Sequence, residues 1–269
     1  DLVAAVHMRA DAGEARARDG GTEAMHLDQR IPVRPETFRA WKHVGSTMFI
    51  PADAQPTVTE LLEGIVTVSA NDACVVLAEG VTGSVSAFTK MMNEAAAELG
   101  MRDSHFNTPN GWMDEGQTYV SAADLATLSS ALMTRFPALY RQFYGHSQMT
   151  WNRITQPNHN PLYGVTEGAD GVKTGFTNEA GYGFVGSAER KGRRLVMVLG
   201  GYDASKAREQ QSRDLIEWGF AAWTAQPLFA KGAWVGAAEV QGGQEWSVPL
   251  IAPRPLSITS PHGGTPKYT

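Results

Sequence analysis

Residues 57–82 read TVTELLEGIVTVSANDACVVLAEGVT and decide the fold of this chain. The stretch contains two apolar helical segments joined by a short polar turn. The first segment carries its apolar residues at the spacing of one helix face (Val58, Leu61, Leu62 and Ile65),. The second segment, residues 73–81, is apolar nearly throughout, which is typical of a buried helix.

The turn between these helices, residues 69–72, consists of residue types that favour helix caps,. Buried helices rarely break for a polar triplet unless its side chains face a cavity. Ser69 and Asn71 are therefore candidate site residues, and a plain capping turn is the alternative.

Further helical signals follow. Ser84 is predicted to cap a helix that Gly100 ends, and Ser121 with Asp124 resembles a capping box at the start of another,. In the second half the pattern changes to two strand-like runs, residues 183–188 and 195–199, which a polar turn connects into an antiparallel hairpin.

A helix is then predicted over residues 207–223, and Gln226-Pro227 interrupts the chain before short β-like segments,. The sequence thus predicts an α+β protein with a domain boundary near residue 225. Residues 1–225 form helices packed on an antiparallel sheet, and residues 226–269 begin a small all-β domain.

Composition excludes several classes of function. The 269 residues carry a formal net charge of -5, whereas a nucleic-acid binder needs a basic face,. No apolar run approaches the roughly 18 residues that span a bilayer. The single cysteine, Cys74, excludes an internal disulfide and thiolate-rich zinc sites, and it is predicted to be a small buried residue,.

Other chemically notable residues are interpreted as structural. The scattered histidines lack metal-ligand spacing and are interpreted as structural or surface residues, so no metal and no cofactor is predicted; these are His26, His43, His105, His146, His159 and His262. The tryptophans at 41, 112, 151 and 218 are assigned to the core, with Trp112 the one that could line a cleft.

A second tripeptide, Lys173-Thr174-Gly175, opens a predicted edge strand over residues 172–177. Lysine supplies a point charge, threonine supplies a hydrogen-bond donor, and glycine lets a ligand's backbone lie close. This combination is suited to anion recognition, and it is more informative together with Ser-x-Asn upstream.

The two tripeptides and their surroundings resemble the serine D-alanyl-D-alanine carboxypeptidases, the low-molecular-mass penicillin-binding proteins of peptidase family S11. The resemblance runs from about His26 to Pro261. Its segments are LDQRIPV, GSTMF, SANDACVVLAEGV, FNTPNGW, DGVKTGFTNEAGYGFVGSA, WGF and IAPRPLSITSPHGG. It implies the penicillin-recognising (β-lactamase/transpeptidase-like) fold followed by a small β domain.

The resemblance also implies roles for individual residues. Ser69 would pass a proton to the leaving D-alanine, Asn71 would hold the substrate amide, and Lys173 would add positive charge at the reacting centre. Thr174 and Arg208 would bind the terminal carboxylate, and the backbone N–H beyond Gly175, that of Phe176, would be an oxyanion donor. For Arg208 the alternative is a solvated charge at the start of a helix.

The chain departs from the family at its nucleophile. No Ser-x-x-Lys occurs among the 269 residues, and its expected place near residues 6–9 reads Val-His-Met-Arg. His7 without a neighbouring hydroxyl is a poor substitute. Either the chain is a non-catalytic relative that keeps the carboxylate-binding half of the site, or the compositionally atypical residues 1–25 are out of frame.

The implied function is removal of the terminal D-alanine from peptidoglycan pentapeptides, with consequences for cell wall and cell shape, and the chain as written is expected to be inactive. The alternatives are a muropeptide- or penicillin-binding pseudoenzyme and a β-lactamase. The β-lactamase is disfavoured because the second motif is Ser-Ala-Asn instead of Ser-Asp-Asn. The implied partners are the stem peptide and β-lactams. The implied location is the bacterial periplasm, with inner-membrane association through a C-terminal anchor that is not in this sequence.

Overall fold

The structure is a computed structural model that describes residues 25–264. Predictions that concern residues 1–24, including the atypical composition and His7, lie outside the described residues. A division into two compact units falls between Asp214 and Leu215, inside a helix and before the boundary predicted near residue 225. The two units are described separately below.

Within residues 25–204, the described part of the first unit has six helices. Their bounds are α1 Pro35–Trp41, α2 Val58–Val68, α3 Asn71–Thr82, α4 Val85–Glu98, α5 Ala122–Arg135 and α6 Pro137–Phe143. The predicted two-helix arrangement of residues 57–82 is confirmed. Thr57 and Glu60 form a capping box at the start of α2, which fixes where that helix begins,.

Two predicted caps are also present. The Ser84 hydroxyl accepts from the Ala87 backbone N–H at the start of α4, and Ser121 accepts from the Asp124 N–H at the start of α5. The carboxylate of Asp124 does not complete a capping box. It accepts instead from the Asp103 backbone N–H and the Ser104 hydroxyl, because it is buried against that loop.

The described strands of the first unit form two antiparallel sheets. A short pair consists of β1 Gln148–Trp151 and β2 Ile154–Pro157, and a three-stranded sheet has the order β3 Ala169–Thr177, β4 Gly181–Arg190 and β5 Arg193–Tyr202. The predicted hairpin is confirmed, with longer strands and only Lys191-Gly192 between them. Both turn residues have positive φ, as a tight two-residue hairpin turn requires,.

The β3 strand is an edge of this sheet among the described strands, as its sequence predicted. The helices and the sheet share one apolar core, in which Val172 and Val185 join residues of α2 to α6. Phe88, Leu61 and Leu77 are among its fully buried side chains. Cys74 is buried in the same core, as predicted. This core holds the end of α2 and the strand β3 in fixed positions.

A helix α7, Ser205–Ala222, starts in the first unit and continues into the second. The second unit contains β6 Trp223–Phe229 paired with β9 Leu256–Pro261, and β7 Trp234–Glu239 paired with β8 Ser247–Ile251. Its β character agrees with the prediction. The predicted interruption at Gln226-Pro227 is wrong, because β6 runs through it with an irregular register.

Two observations concern apolar side chains. Trp218 was assigned to the core, but 59% of it is exposed, because it lies on a face of α7 that no described side chain covers fully. Within residues 25–264 no helix has the length and apolarity needed to cross a membrane.

Candidate active site

The Ser69 turn is a tight left-handed corner between two helices. Ser69 ends α2 with φ 60° and ψ 39°, a conformation that costs free energy for a residue with a side chain,. Ala70 is fully buried, and its backbone N–H donates to the Gly64 carbonyl at 3.1 Å. The corner therefore has one fixed geometry, and the half-buried Ser69 hydroxyl is held at the end of α2.

Asn71 connects this corner to two loops. Its Nδ2 donates to the Val44 and Ser46 carbonyls at 3.4 and 3.2 Å, and its Oδ1 accepts from Asn110 Nδ2 at 3.0 Å. An amide has two N–H donors and two lone pairs. Within the described residues Oδ1 accepts one hydrogen bond, so one of its lone pairs is available to a ligand. The side chain that was predicted to hold a substrate amide therefore also connects the two loops.

Gly45 lies between these loops because it has no side chain. A Cβ at Gly45 would lie 2.7 Å from Asn71 Nδ2 and 2.8 Å from the Trp112 ring, and the residue has φ +63°. Trp112 in turn meets Trp41 edge-on, with ring centroids 5.6 Å apart. The loop beyond Asn110 is thus packed close to the Asn71 amide, which places Trp112 beside the site.

Asp72 was not predicted as a site residue, although it fixes the backbone next to the Ser69 turn. Its buried carboxylate accepts from the backbone N–H groups of Met48, Ile50 and Ala73 at 3.0, 3.2 and 3.0 Å. Burial raises the pKa of Asp72 above its usual value, and these hydrogen bonds oppose that rise,. The sequence signal that could have predicted this role is the position of a carboxylate at the N-terminus of α3.

Lys173 on β3 meets the Ser69 corner directly. Its Nζ donates to the Ser69 hydroxyl oxygen, and also to the Thr174 carbonyl at 2.7 Å. Burial is the main cause that lowers the pKa of Lys173 to about 8, and the positive charge of Arg208 contributes to this shift,. The structure thus brings the Ser-x-Asn turn and the Lys-Thr-Gly strand together, with an ammonium group that can lose its proton at mildly alkaline pH.

The strand beyond Lys173 is open to a ligand. An added Cβ at Gly175 would meet nothing within 4 Å, and 53% of Phe176 is exposed. The Phe176 ring stacks on Tyr182, its partner across the strand pair, with centroids 4.2 Å apart. Thr174 lies between Lys173 and this open stretch. The Lys-Thr-Gly edge therefore presents free space beside a cation.

Arg208 is buried, which contradicts the alternative of a solvated charge at a helix start. Only 7% of the residue is exposed, and its guanidinium carbon lies 5.7 Å from the centroid of the Tyr182 ring. Its Nη2 donates to the Ser205 hydroxyl at 3.3 Å and lies 3.9 Å from the Glu209 carboxylate. Burial lowers the pKa of Arg208.

The guanidinium of Arg208 has an unused donor. Its Nε is buried and makes no hydrogen bond with the described part of the chain. A buried N–H without an acceptor costs roughly 1–3 kcal/mol, and more on a charged group. An anion bound against the guanidinium would supply the missing acceptor, so this side of the site favours a carboxylate.

His159 is exposed, which agrees with its interpretation as a structural or surface residue. Partial burial is the main cause that lowers its pKa, and the positive charges of Lys173 and Arg208 contribute to this shift. No spacing rule in the sequence predicts this electrostatic effect, because fourteen residues separate His159 from Lys173.

Solved structures of similar proteins share this fold. Penicillin binding protein 5 from Haemophilus influenzae superposes with a TM-score of 0.82 at 31% identity, over 97% of this chain and 75% of its own. Penicillin-Binding Protein D2 from Listeria monocytogenes, solved in its ampicillin bound form, gives a TM-score of 0.67 at 27% identity over 81% and 85%. The chain thus has the transpeptidase-like fold of the penicillin-binding proteins.

Sequence comparison identifies the family within that class. The model of the peptidase S11 family, D-alanyl-D-alanine carboxypeptidase, matches residues 20–203. D-alanyl-D-alanine carboxypeptidase DacD of Escherichia coli (strain K12) is 37% identical over 232 residues, which are 84% of this chain and 59% of the relative. The chain belongs to the peptidase S11 family, and it spans somewhat over half the length of the curated relatives it matches.

Proposed function

We propose that the protein acts on peptides that end in D-alanyl-D-alanine, and that this chain supplies the recognition of their terminal carboxylate. The observation that carries the proposal is the contact of the Lys173 ammonium with the Ser69 hydroxyl at the open edge of β3. The buried Arg208, with its unused donor, adds a second cation. Membership of the peptidase S11 family supports the substrate class.

Each site residue has a role in this proposal. Thr174 and Arg208 bind the terminal carboxylate, since a guanidinium pairs well with a carboxylate. Lys173 places positive charge at the reacting centre and orients the Ser69 hydroxyl, which relays a proton to the leaving D-alanine. The Phe176 backbone N–H is one oxyanion donor, and such a donor is worth about 3 kcal/mol in a comparable site.

Asn71 has two roles in the proposal. Its free Oδ1 lone pair accepts from the substrate amide, while its other hydrogen bonds keep the two loops in place. The low pKa of Lys173 adds a consequence. The ammonium binds the carboxylate below about pH 8 and loses this ability as the pH rises through that value,.

The covalent step needs a nucleophile that the 269 residues do not provide as Ser-x-x-Lys. The chain as written is therefore a muropeptide- or penicillin-binding protein without acylation, and the family activity belongs to a protein that carries the motif. The relatives are proteins of bacteria, and the proposed location is the periplasm, with inner-membrane association through a C-terminal anchor.

Two measurements test the proposal together. Fluorescent penicillin followed by denaturing electrophoresis is expected to leave no label on this chain, with the Listeria protein of the ampicillin complex as the positive control. Calorimetry with diacetyl-L-lysyl-D-alanyl-D-alanine is expected to show reversible binding, and its C-terminal amide is expected to bind at least about tenfold more weakly because it lacks the charge.

The two measurements separate the parts of the proposal. A label that survives denaturation would show that the chain has its own nucleophile. Equal affinities for the acid and the amide, or no binding of either, would contradict carboxylate recognition by Lys173 and Arg208.

A further inference from the structure

Strand β3 has an extra residue near its start. Its pairing with β4 is irregular between Ala169, which lies opposite Ala188, and Gly171, which lies opposite Ser187. Asp170 between them has no partner on β4, so this point is a β-bulge, a feature that is common beside active sites,. The bulge lies just before the stretch of β3 that carries the Lys-Thr-Gly tripeptide.

The bulge determines the face of β3 on which Lys173 lies. Beyond it the pairing is regular, and Lys173 lies opposite Val185. Pairing that continued into this stretch without the extra residue would place Lys173 opposite Phe184, which is now the partner of Thr174. Successive side chains of a strand point to opposite faces, so a shift by one residue moves each of them to the other face. In the shifted register Lys173 would point away from the Ser69 hydroxyl.

The guanidinium of Arg194 holds Asp170 in the bulge. Arg194 lies on β5, and its side chain reaches across β4 to β3. Its Nη1 donates to Asp170 Oδ1 at 2.9 Å and lies 2.7 Å from Oδ2. The same Nη1 donates to the Ser187 hydroxyl at 2.7 Å, and Nη2 donates to the Glu189 carboxylate at 2.6 Å. Ser187 is fully buried and lies opposite Gly171, so one side chain of β5 connects all three strands at the bulge.

Helix α6 favours the same register. An added Cβ at Gly171 would collide with the Tyr140 hydroxyl, so a side chain fits opposite Ser187 only if the buried Tyr140 ring moves. In the shifted register Asp170 would take this place, and its side chain would meet the same hydroxyl. In the observed register the Tyr140 hydroxyl donates to the Asp170 carbonyl at 3.4 Å, and its ring centroid lies 5.7 Å from the Arg194 guanidinium carbon.

We propose that Arg194 is a positioning residue of the candidate site, which acts through Lys173 by holding the bulge that directs this lysine at the Ser69 hydroxyl. The inference rests on the proposed function, because Lys173 is assigned there to the ligand carboxylate. The bonds of Arg194 described above all go to the sheet itself. Its effect on a ligand therefore passes through the position of β3.

The first test needs no ligand, because it measures the pKa of Lys173. Burial is the main cause that lowers this pKa to about 8. In Arg194→Met we expect it to rise by about one unit or more toward the usual lysine value of about 10.4, because the displaced ammonium gains water. Cys74 on α3 and Arg208 on α7 also act on Lys173, which in turn acts on His159, and the variant leaves all three in place.

The NMR signal of the lysine ε-carbon in a chain with isotope-labelled lysine reports this titration, and its absence from Lys173→Met identifies it. Arg194→Lys keeps the positive charge, but a point charge cannot make all the bonds of the planar guanidinium. Its pKa of Lys173 is expected to lie between those of the unmodified chain and Arg194→Met. This variant also provides the test if the methionine variant does not fold.

The second test is a double-variant cycle with diacetyl-L-lysyl-D-alanyl-D-alanine, measured by calorimetry at about pH 7. Arg194→Met is expected to bind the peptide on the order of tenfold more weakly than the unmodified chain. Added to Lys173→Met, the same change is expected to weaken binding by no more than about twofold, because the group that it positions is already absent. Arg102→Met, which removes an exposed arginine from a loop, is the matched control and is expected to bind normally.

The outcomes separate positioning from a purely structural ion pair. A lower melting temperature with an unchanged pKa of Lys173 would overturn the inference, and so would losses of affinity that add in the double variant. Failure of the unmodified chain to bind the peptide would instead contradict the proposed function. The pKa of Lys173 would still decide whether Arg194 positions it.

Discussion

The two sides of the site differ in how completely their polar groups are used. On the Ser69 side, Asn71 and Asp72 direct their polar atoms almost entirely to backbone carbonyls and N–H groups of neighbouring loops. On the Lys173 side, no described atom lies within 4 Å of a Cβ placed at Gly175, and the Nε of the buried Arg208 has no hydrogen-bond partner among residues 25–264. A set of satisfied hydrogen bonds stabilises a shape, whereas unused donors beside a cation attract a ligand.

The tripeptide Ser69-Ala70-Asn71, with Asp72, therefore acts mainly as a structural frame, here called the frame. The tripeptide Lys173-Thr174-Gly175, with Arg208, acts mainly in ligand binding and is here called the receptor side. Substitutions on the receptor side should reduce ligand binding while leaving the stability of the fold intact. Substitutions in the frame should mainly lower the stability of the fold. Three predictions test this division.

The largest effect is expected for Lys173→Met. The variant removes a charge that would pair with the ligand carboxylate, so the affinity for a D-alanyl-D-alanine peptide should fall on the order of a hundredfold, or about 3 kcal/mol. The melting temperature should stay the same or rise, because a partly desolvated ammonium is replaced by an apolar side chain of similar length. Calorimetric titration and thermal denaturation measure the two effects.

The pH profile serves as the control for this variant. Affinity of the unmodified chain should decrease about tenfold per pH unit above pH 8, since Lys173 loses its proton there,. The methionine variant should lack that decrease. A variant that unfolds at lower temperature but still binds tightly would reverse the assignment of the two sides.

A smaller effect, on stability, is expected for Asn71→Ala. The change leaves the Val44 carbonyl and the Asn110 amide without their Asn71 partner, while the Ser46 carbonyl keeps only the backbone N–H of residue 71 at 2.8 Å. This loss should lower the free energy of unfolding by about 2 kcal/mol. Urea denaturation measures this value. Lys90→Ala, which removes an exposed ion pair, should change it by less than about 0.5 kcal/mol and is the control,.

The smallest effect concerns Gly45. Both Gly45 and Gly83 have positive φ, +63° and +79°, but an added Cβ is crowded only at Gly45. Gly45→Ala should therefore destabilise the fold by about 1 kcal/mol more than Gly83→Ala, which carries the conformational cost alone. If urea denaturation gave the same loss of unfolding free energy for both variants, the side chains of Asn71 and Trp112 would be able to move away from the added Cβ. The frame would then be less rigid than described.

Sequence reasoning predicted much of this molecule because its signals were local. The helices around residues 57–82, the caps at Ser84 and Ser121, and the β4–β5 hairpin follow from periodicity and turn residues within short windows. The pairing of Ser69 with Lys173 came from the family resemblance. It could not come from spacing, because 104 residues separate the two.

The remaining features depend on contacts that no local pattern encodes. Burial of Arg208 depends on the packing of α7 near Tyr182, and the bulge at Asp170 depends on a guanidinium from another strand. Trp218 shows the opposite case to Arg208: it was assigned to the core because it is an aromatic residue on a helical stripe, but it is exposed. The roles of the individual site residues stay predictions until the variants are measured.

The open edge of β3 has a consequence for self-association. On the side of β3 that no strand within residues 25–264 pairs, main-chain donors and acceptors can be matched by an extended chain, including the same strand of a second copy,. Lys173 lies on this strand, so two such edges in contact would bring like charges together. The lysine that attracts an anionic peptide therefore also opposes dimerisation through β3, and its neutralisation would make the protein more prone to aggregate.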